Sequence, residues 1–342
     1  MSTSLLDRRY PRTRFARFVV DPDKCDACKK CVQTCPGQLL EMKGDVPVNK
    51  YEAGESDLGC IGCRNCYSVC PQDAIEVRDQ YRVLDGYYET KLKPPALPNP
   101  FLAEEAPAYE DIEDRLTEVE KVVYTRRSNR LFRKRKVPED VLHRVVEAGR
   151  FAPSQGNCQP WSFMVIADRD LITQIGEACT ERVAPLSRLY LRNGSGREGL
   201  KTMAVNALSR LTPNNTDQRL MHGIDTIAAN DSYDMFLHAP ALIVVLGDQR
   251  GIGQPIIDTI LAAHNMVLVA HSLGLGTCYV GFTKMLNTLP EWKEKLGIRW
   301  PYKVMTSIAL GYPRTPVDHA VPRERPPVTW FPADRSGPRE EE

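Results

Sequence analysis

Eight of the eleven cysteines of this 342-residue chain lie in one short stretch and form two copies of the same pattern. Each copy has three cysteines separated by two residues, then a fourth cysteine three residues later, followed directly by proline. Three thiolates at this spacing wrap one iron–sulfur cubane in a tight loop, and the fourth ligand comes from elsewhere. The first copy is Cys25, Cys28, Cys31 and Cys35, and the second is Cys60, Cys63, Cys66 and Cys70. The pattern therefore predicts two iron–sulfur clusters.

Two other chemistries are open to clustered cysteines. Zinc prefers four ligands in two separated pairs rather than a triplet plus a distant fourth ligand before proline. A disulfide framework is typical of secreted domains, but Met1–Tyr10 has no apolar core of signal-peptide length. Both alternatives fit the spacing less well than iron–sulfur clusters do.

Residues 21–79 resemble the bacterial two-[4Fe–4S] ferredoxin module, in which the fourth cysteine of each copy serves the other cluster. The resemblance implies one cluster on Cys25, Cys28, Cys31 and Cys70, and a second cluster on Cys60, Cys63, Cys66 and Cys35. The 24 residues between Cys35 and Cys60 exceed the simplest form of the module, and the segment 43–47 predicts a hairpin there. Clusters of this kind transfer single electrons, so the rest of the chain must supply a redox partner for them.

A second group of motifs begins with a basic run in which Arg126, Arg127 and Arg130 surround Ser128. Read by itself, this run fits a solvated basic face or a nucleic-acid patch. Three further motifs follow it along the chain: APSQGNCQPW at 152–161, GLGTCYVG at 274–281, and LGYP at 310–313 with a later Arg-x-Arg. A nucleic-acid patch does not explain these later motifs.

In this order the motifs resemble the nitroreductase family of FMN-dependent oxidoreductases, over about residues 121–331. The resemblance implies that guanidinium groups, whose planar fork pairs with phosphate or carbonyl oxygens, grip the FMN phosphate, ribityl chain and pyrimidine edge. It also implies a loop that reaches the flavin from a partner subunit and a segment that lies along the flavin ring. The implied phosphate and pyrimidine residues are Arg126, Arg127, Ser128 and Arg130, with Arg323 and Arg325 closing on the phosphate. The implied loop residues are Pro153, Ser154, Asn157 and Gln159, and the implied ring residues are Tyr279, Val280 and Gly281.

The resemblance implies a homodimeric enzyme that reduces or oxidises a small organic substrate such as a nitroaromatic, quinone or enone. No catalytic side chain is predicted, because the flavin carries the chemistry. The two clusters would link the flavin to a donor, either ferredoxin, flavodoxin or NAD(P)H, and the direction of electron flow is open. The alternative is an electron carrier that serves protein partners without turning over a small substrate.

Several remaining residues have simpler interpretations. Cys158 and Cys278 lie inside flavin motifs, where small apolar filler is favoured over redox chemistry. His264 and His271 lie seven residues apart on one helical stripe, which favours a role in the core or at a dimer interface. Gly274 and Gly276 fit a helix C-cap as well as a flavin contact.

Hydrophobic periodicity indicates which elements position these motifs. Pro138 with two acidic residues after it predicts a helix start. The apolar runs Ser162–Ala167 and Ala241–Leu246 predict strands covered on both faces. Further predicted elements are a helix over Ile256–Leu273 that stops at Gly274 and strands over Tyr279–Phe282 and Val304–Leu310.

The predicted fold class is α+β: an FMN domain with a central mixed sheet flanked by helices, and an appended small ferredoxin-like domain. We predict an N-terminal extension at 1–20, the ferredoxin-like domain at 21–79, a Pro-rich and acidic linker at 80–118, and the FMN domain at 119–342. Residues 180–235 predict an insertion of helices and loops within the FMN domain.

Composition excludes several classes of function. Lys plus Arg total 45 and Asp plus Glu total 44, so no whole-chain field favours nucleic acid or an anionic membrane. The longest apolar runs are too short to span a bilayer. Cysteine-rich metal sites without a signal peptide indicate a reducing compartment, so we predict a soluble cytoplasmic protein.

Overall fold

The structure is a computed structural model that describes residues 13–50, 59–79, 82–83, 93–190, 224, 233–251, 253–315, 318–333 and 337–340. The chain divides into two compact units. The cysteine unit contains the described residues up to Thr117 and those from His319 onward. The sheet unit contains the described residues of Glu118–Gly194 and Gly223–Asp318. Within the described part of the chain, no helix combines the length and apolar character that a membrane crossing requires.

The cysteine unit is built from short elements. Its strands are β1 (Thr13–Arg14), β2 (Arg17–Val20), β3 (Leu40–Lys43), β4 (Val46–Asn49), β5 (Ile75–Arg78), β6 (Arg82–Val83) and β7 (Lys93–Ala96). Its helices are α1 (Lys30–Thr34), α2 (Asn65–Ser68) and α3 (Tyr109–Ile112), and a 3-10 turn follows at Glu113–Arg115. The strands that come last in the chain are described below, because they pair back onto this unit.

Antiparallel pairs hold the cysteine unit together. β2 pairs with β5 on either side of the cysteine region, and β1 pairs with β6. β3 and β4 form a hairpin in which Lys43 lies opposite Val46, and Gly44 supplies the positive φ of 64° that the two-residue turn requires. The hairpin predicted at residues 43–47 is therefore confirmed.

The buried core of the cysteine unit is small and contains two of the thiols themselves. Its main cluster consists of Cys31, Leu40, Cys66 and Ile75, with a few half-buried side chains packed against it. A core of this size contributes little apolar burial, so the unit depends on additional cross-links for its stability.

The sheet unit has longer elements. Its helices are α4 (Glu118–Thr125), α5 (Glu139–Arg150), α6 (Arg169–Tyr190), α7 (Pro255–Ser272) and α8 (Pro290–Lys295). Its strands are β8 (Trp161–Ile166), β9 (Ala241–Asp248), β10 (Gly276–Tyr279) and β11 (Tyr302–Gly311), with 3-10 segments at Gln155–Asn157 and Gly281–Thr288. The predicted helix start after Pro138 is confirmed by α5, and the predicted strands at 162–167, 241–246 and 304–310 correspond to β8, β9 and β11.

The four strands form one sheet in the order β10-β11-β9-β8. Every ladder in it is antiparallel. A single parallel bridge joins Ser128 to Thr277 at the β10 edge. The sequence predicts a mixed sheet. Within the described residues, the four strands run antiparallel to their neighbours, and the Ser128–Thr277 bridge is the parallel contribution.

Both faces of the sheet are covered, which makes three layers. On β9 the residues Leu242, Val244 and Leu246 pack with α6 and the 3-10 segment after β10, while Ala241, Ile243 and Val245 pack with α5 and α7. This alternation follows from the two-residue period of a strand, and it explains why β9 is a continuous apolar run.

One predicted strand ends earlier than expected. β10 stops at Tyr279, so a strand over Tyr279–Phe282 is wrong for its last three residues. Val280 N donates to Ser307 O at 2.9 Å as the last sheet bond, and the Thr283 hydroxyl then donates to Val280 O, which starts the 3-10 segment. Side-chain capping of this kind competes with strand pairing and is not visible in hydrophobic periodicity.

The stretch predicted as a linker at 80–118 carries structure in its described part. β7 pairs with β12 (Arg323–Arg325), and α3 buries Tyr109 and Ile112. Two further short strands, β13 (Thr329–Trp330) and β14 (Arg339–Glu340), pair with each other. The structure therefore groups the residues from His319 onward with the cysteine unit, whereas the sequence boundary placed them with residues 119–318. The predicted insertion at 180–235 lies mostly outside the described residues, which include α6 up to Tyr190 and then Ile224.

Candidate functional site

The eight clustered cysteines line two separate recesses. Cys25, Cys28, Cys31 and Cys70 line the first recess, together with Met42, Pro47 and Ile75. Cys35, Cys60, Cys63 and Cys66 line the second, which has an empty volume of about 430 Å³. Each recess thus collects three cysteines of one copy and the fourth cysteine of the other copy, as the ferredoxin resemblance implies.

The two copies of the motif have the same backbone geometry. Lys29 precedes α1 and Arg64 precedes α2, and both residues adopt the left-handed conformation with φ of 61° and 55°. Left-handed residues at these positions turn the loop around the recess before the short helix begins. Cys31 and Cys66 are then buried at equivalent places within α1 and α2.

Burial makes these thiols hard to ionise in the absence of a metal. Burial raises the pKa of Cys31 to about 11, and the neighbouring thiols Cys28, Cys25 and Cys70 act in the same direction. Burial likewise raises the pKa of Cys60 to about 11, against which a hydrogen bond from the Gly62 backbone acts. A bound cationic group would compensate this cost, because it stabilises thiolates directly.

The arrangement does not suit single metal ions. No group of three described His, Cys, Asp or Glu side chains converges closely enough to hold one ion. None of the eleven cysteines forms a disulfide, although all lie in the described residues. Backbone N–H groups point at the sulfur atoms, and one of them, Ala74 N, donates to Cys70 Sγ at 3.3 Å. The donor set fits a four-thiolate iron–sulfur cluster in each recess.

In the sheet unit, the arginine segment 126–130 lies along the β10 edge. Ser128 forms the parallel bridge to Thr277, and Asn129 N donates to Thr277 O at 2.7 Å. Gly276 permits this approach, since a Cβ atom there would lie 2.8 Å from the Asn129 Cβ. The structure thus brings the predicted phosphate-binding segment beside the predicted ring segment.

Two arginines of the segment face buried groups of β10. Burial raises the pKa of Tyr279 to about 12, and the charge of Arg126 acts against this rise. Burial also raises the pKa of the Cys278 thiol, and Arg130 acts against that rise. Arg130 also acts on Tyr233, which is largely buried nearby. A cationic, weakly solvated pocket of this kind favours an anionic or acceptor-rich ligand.

Some donors in this pocket have no acceptor in the described part of the chain. Arg130 Nη1 and the Tyr279 hydroxyl are fully buried there without a hydrogen-bond partner. Buried polar groups are rarely left unpaired, and each such group costs about 1–3 kcal/mol. The Arg130 donor therefore fits a group rich in phosphate or carbonyl oxygens, such as FMN, while the Tyr279 hydroxyl is a separate unpaired donor on the α5 and α7 face of the sheet.

The loop at 153–159 is held by its own polar side chains. Ser154 Oγ accepts from Gln159 N at 3.0 Å, and Gln159 Nε2 donates to Asn157 Oδ1 at 3.1 Å. Asn157 and Gln159 both have positive φ, of 53° and 46°. The loop, which begins after Ala152 with Pro153, leads into β8, at the opposite edge of the sheet from β10. A single chain therefore does not bring this loop to the arginine segment, and its proposed contact with a partner's flavin stays a prediction.

The remaining predicted residues are distributed between the two units. Val280 is buried at the end of β10, and a Cβ atom on Gly281 would meet nothing within 4 Å. Arg127 is the buried arginine of the segment 126–130. Arg323 and Arg325 lie in β12, which belongs to the cysteine unit, so their predicted contact with a phosphate stays a prediction. Gly274 has a φ of 74° and follows α7, which supports its C-cap interpretation.

Sequence reasoning missed two residues of these sites. Asn129 was not assigned a role, yet it is buried and joins residues 126–130 to β10. Arg64 was also missed, although it lines the second recess. Alignment of the two cysteine copies places Arg64 opposite Lys29, and this repeat position was the available signal.

Two sequence-family models match separate parts of the chain. A sequence model described as the Nitroreductase family matches residues 123–312, which is more than half of the chain. A second model, described as a 4Fe-4S dicluster domain, matches residues 24–75.

The chain is also similar to individual proteins. A protein of Archaeoglobus fulgidus with the provisional name NADH dehydrogenase/NAD(P)H nitroreductase is 26% identical over 58% of this chain and 87% of its own. A protein of Methanothermobacter thermautotrophicus with the same provisional name is 24% identical over 57% of this chain and 78% of its own. A solved nitroreductase with bound FMN from Bacteroides fragilis is 22% identical, covers 58% of this chain and 89% of its own, and has a TM-score of 0.43.

Proposed function

Because the chain belongs to the nitroreductase family over residues 123–312, we propose that it is an FMN- and iron–sulfur-dependent oxidoreductase acting on a small organic substrate. The proposed substrate is an electron acceptor or donor of the nitroaromatic, quinone or enone class. The proposed electron partner is NAD(P)H, ferredoxin or flavodoxin. The observation that carries the proposal is the buried, unpaired Arg130 Nη1 donor within the arginine segment that lies along β10.

The sheet unit would hold FMN at the β10 edge. Bound FMN supplies the exchange of two electrons with an organic substrate. Arg126 and Arg130 would bind and orient its acceptor oxygens, and Ser128 would stay fixed by its bridge to Thr277. Burial around Cys278 and Tyr279 keeps water away from these groups, which strengthens each charge–oxygen contact.

The cysteine unit would hold two [4Fe–4S] clusters, which supply single-electron transfer when bound. Cys25, Cys28, Cys31 and Cys70 are the proposed ligands of one cluster. Cys35, Cys60, Cys63 and Cys66 are the proposed ligands of the other. Two clusters together carry the two electrons that FMN exchanges, which is a physical reason for one chain to contain both units. Cysteine-ligated clusters persist in a reducing compartment, so we propose a cytoplasmic location.

The loop at 153–159 and the exposed apolar side chains of α7 support a homodimer. Ile256, Ile257, Ile260 and Leu261 are exposed on α7, and apolar residues exposed together mark an interaction surface. In a dimer, the loop of one protomer would reach the FMN of its partner. A flavin-loaded monomer in light scattering would contradict this arrangement.

Anaerobic purification with quantitation of iron, sulfide and flavin tests the proposal. We expect about eight iron atoms, about eight sulfides and about one FMN per chain. Dithionite-reduced protein should then be reoxidised stoichiometrically by a nitroaromatic or an enone. Reoxidation by protein partners alone would instead indicate an electron carrier. Purified protein that contains no flavin would contradict the proposed FMN-dependent activity.

Substitution in the arginine segment tests the flavin site separately from the clusters. Arg130→Ala should weaken FMN binding by about 10- to 100-fold, since a charge-assisted contact is lost, and cluster absorbance should be retained. Arg126→Ala should act in the same direction. Arg144→Ala, on the exposed face of α5, is the matched control and should leave FMN binding unchanged. Equal loss of FMN and cluster signals would show that the two sites are not independent.

A further inference from the structure

The two cysteine recesses differ in the charge at one equivalent position. Lys29 and Arg64 both precede the short helix of their copy in a left-handed conformation. Lys29 is exposed to solvent, whereas Arg64 is half-buried. Arg64 lines the recess of Cys35, Cys60, Cys63 and Cys66. A half-buried cation is screened less than an exposed one, so the second recess carries the stronger positive field.

Arg64 belongs to a charge group that includes the late strand β12. Pairing of β12 with β7 holds Arg323 and Glu324 in the same unit as the cysteines. Burial lowers the pKa of Arg64, and the nearby charge of Arg323 acts in the same direction, while Glu324, Cys60 and Cys63 oppose both. The Arg64 guanidinium thus lies within electrostatic reach of two ligand thiols and of Glu324.

We propose that Arg64 sets the reduction potential of the cluster held by Cys35, Cys60, Cys63 and Cys66, and that Glu324 on β12 attenuates its effect. The inference rests on the proposed cluster ligation. One-electron reduction by the donor adds one negative charge to the four-thiolate site, and no bond forms or breaks. A nearby guanidinium stabilises that added charge, whereas a carboxylate within electrostatic reach of the guanidinium weakens this stabilisation. The late strand β12 is therefore a tuning element of the iron–sulfur site.

A redox titration of the full-length, iron-loaded protein tests this assignment. Dithionite is the reductant, and EPR of the reduced clusters is the readout. Arg64→Gln should disfavour one of the two reduction steps by at least about tenfold, which equals about 59 mV for one electron, and should leave the other step within about twofold. Glu324→Gln should move that same step in the opposite direction by about two- to tenfold. Arg64→Lys should retain most of the native potential.

An exposed ion pair in the same unit provides the matched control. Arg78 Nη2 lies 2.7 Å from Glu76 Oε2 on β5, and both side chains are more than half exposed. Arg78→Gln and Glu76→Gln should change neither step by more than about twofold, because these two charges pair with each other and neither side chain lines a cysteine recess. Should Arg64→Gln fail to retain iron, Glu324→Gln decides alone, since it leaves the recess lining intact.

Each outcome bears on one hypothesis only. Native protein without iron and sulfide would reject the proposed function before any titration. Fully loaded variants with unshifted steps, with both steps shifted equally, or with Arg64→Gln and Glu324→Gln shifting one step in the same direction would overturn the tuning role. Opposite shifts confined to one step would support it.

Discussion

The cysteine unit and the sheet unit reach a folded state by different means. In the sheet unit, two apolar layers cover both faces of β9, and residues such as Phe236 and Leu286 are fully buried. In the cysteine unit, the main buried cluster has four residues, and two of these are the thiols Cys31 and Cys66. The same side chains thus serve as core and as proposed ligands. Loss of the clusters should therefore unfold the cysteine unit and leave the sheet unit folded.

The largest expected effect is on the cysteine unit after anaerobic iron removal. Backbone amides of β2–β5 and of the β3–β4 hairpin should exchange at least about 100-fold faster, because the metal cross-links are the main source of their stability. Amides of β9 and β11 should keep their protection. Hydrogen exchange with mass spectrometry measures both regions in one sample.

Reconstitution with iron and sulfide is the control for that experiment, and it should restore the protection of the cysteine unit. Unchanged amide exchange in the β2–β5 pair after complete iron loss would contradict this expectation. The small apolar core would then be enough to keep the cysteine unit folded.

A substitution in the core of the sheet unit should destabilise that unit and leave the cysteine unit intact. Phe236→Ala should lower the free energy of unfolding of the sheet unit by about 3–5 kcal/mol, because it opens a cavity in a fully buried layer. Cluster absorbance should remain until the sheet unit unfolds in urea. Phe151→Ala removes an aromatic ring that is 70% exposed, and as the matched control it should cost less than about 1 kcal/mol. Equal costs at the two sites would show that the layers are not tightly packed.

The smallest expected effect is a pH dependence confined to the sheet unit. Burial lowers the pKa of His271 from its ordinary value of 6.5, and Arg126 acts in the same direction. The Thr125 hydroxyl donates to Lys121 O, so His271 Nε2–H is the donor to Thr125 Oγ1 at 2.8 Å. The stability that this lowered pKa of His271 contributes is complete above pH 6.5, and it is lost as the pH falls through the lower pKa of the folded state.

We expect about 1 kcal/mol or less from this group between pH 7 and pH 5, because His271 is only partly buried. Urea unfolding of native protein and of His271→Gln at several pH values measures the difference. The variant should show a flatter decline of stability in acid. A steeper decline in the variant would mean that His271 gains a proton on folding.

Sequence patterns predicted the features that depend on near neighbours in the chain. The cysteine spacing, the turn at Gly44 and the start of α5 after Pro138 are local, so each could be recognised without the fold. The apolar run of β9 could also be recognised, because coverage on both faces leaves no alternation.

Features that depend on distant partners could not be predicted in the same way. Pairing of β7 with β12 holds Glu324 in the same unit as Arg64, and each of these residues is an unspecified position within its sequence motif. The role of Gly276 appears only when Asn129 is packed against it. The end of β10 at Tyr279 depends on the Thr283 hydroxyl, which donates to Val280 O and competes with strand pairing. The apolar residue Val280 gives no sign of this in the sequence pattern.

The pairing of β7 with β12 also affects the order of events during biosynthesis. Lys93–Ala96 leaves the ribosome roughly 230 residues before its strand partner. At bacterial to eukaryotic elongation rates, this interval is roughly 10–50 s. During that time the edge at β7 is open, and the prolines at positions 94 and 95 protect it against pairing with another nascent chain. A nascent chain could therefore receive iron before Glu324 is in place, and its cluster would acquire the mature electrochemical character only after β12 has been synthesised and has paired with β7.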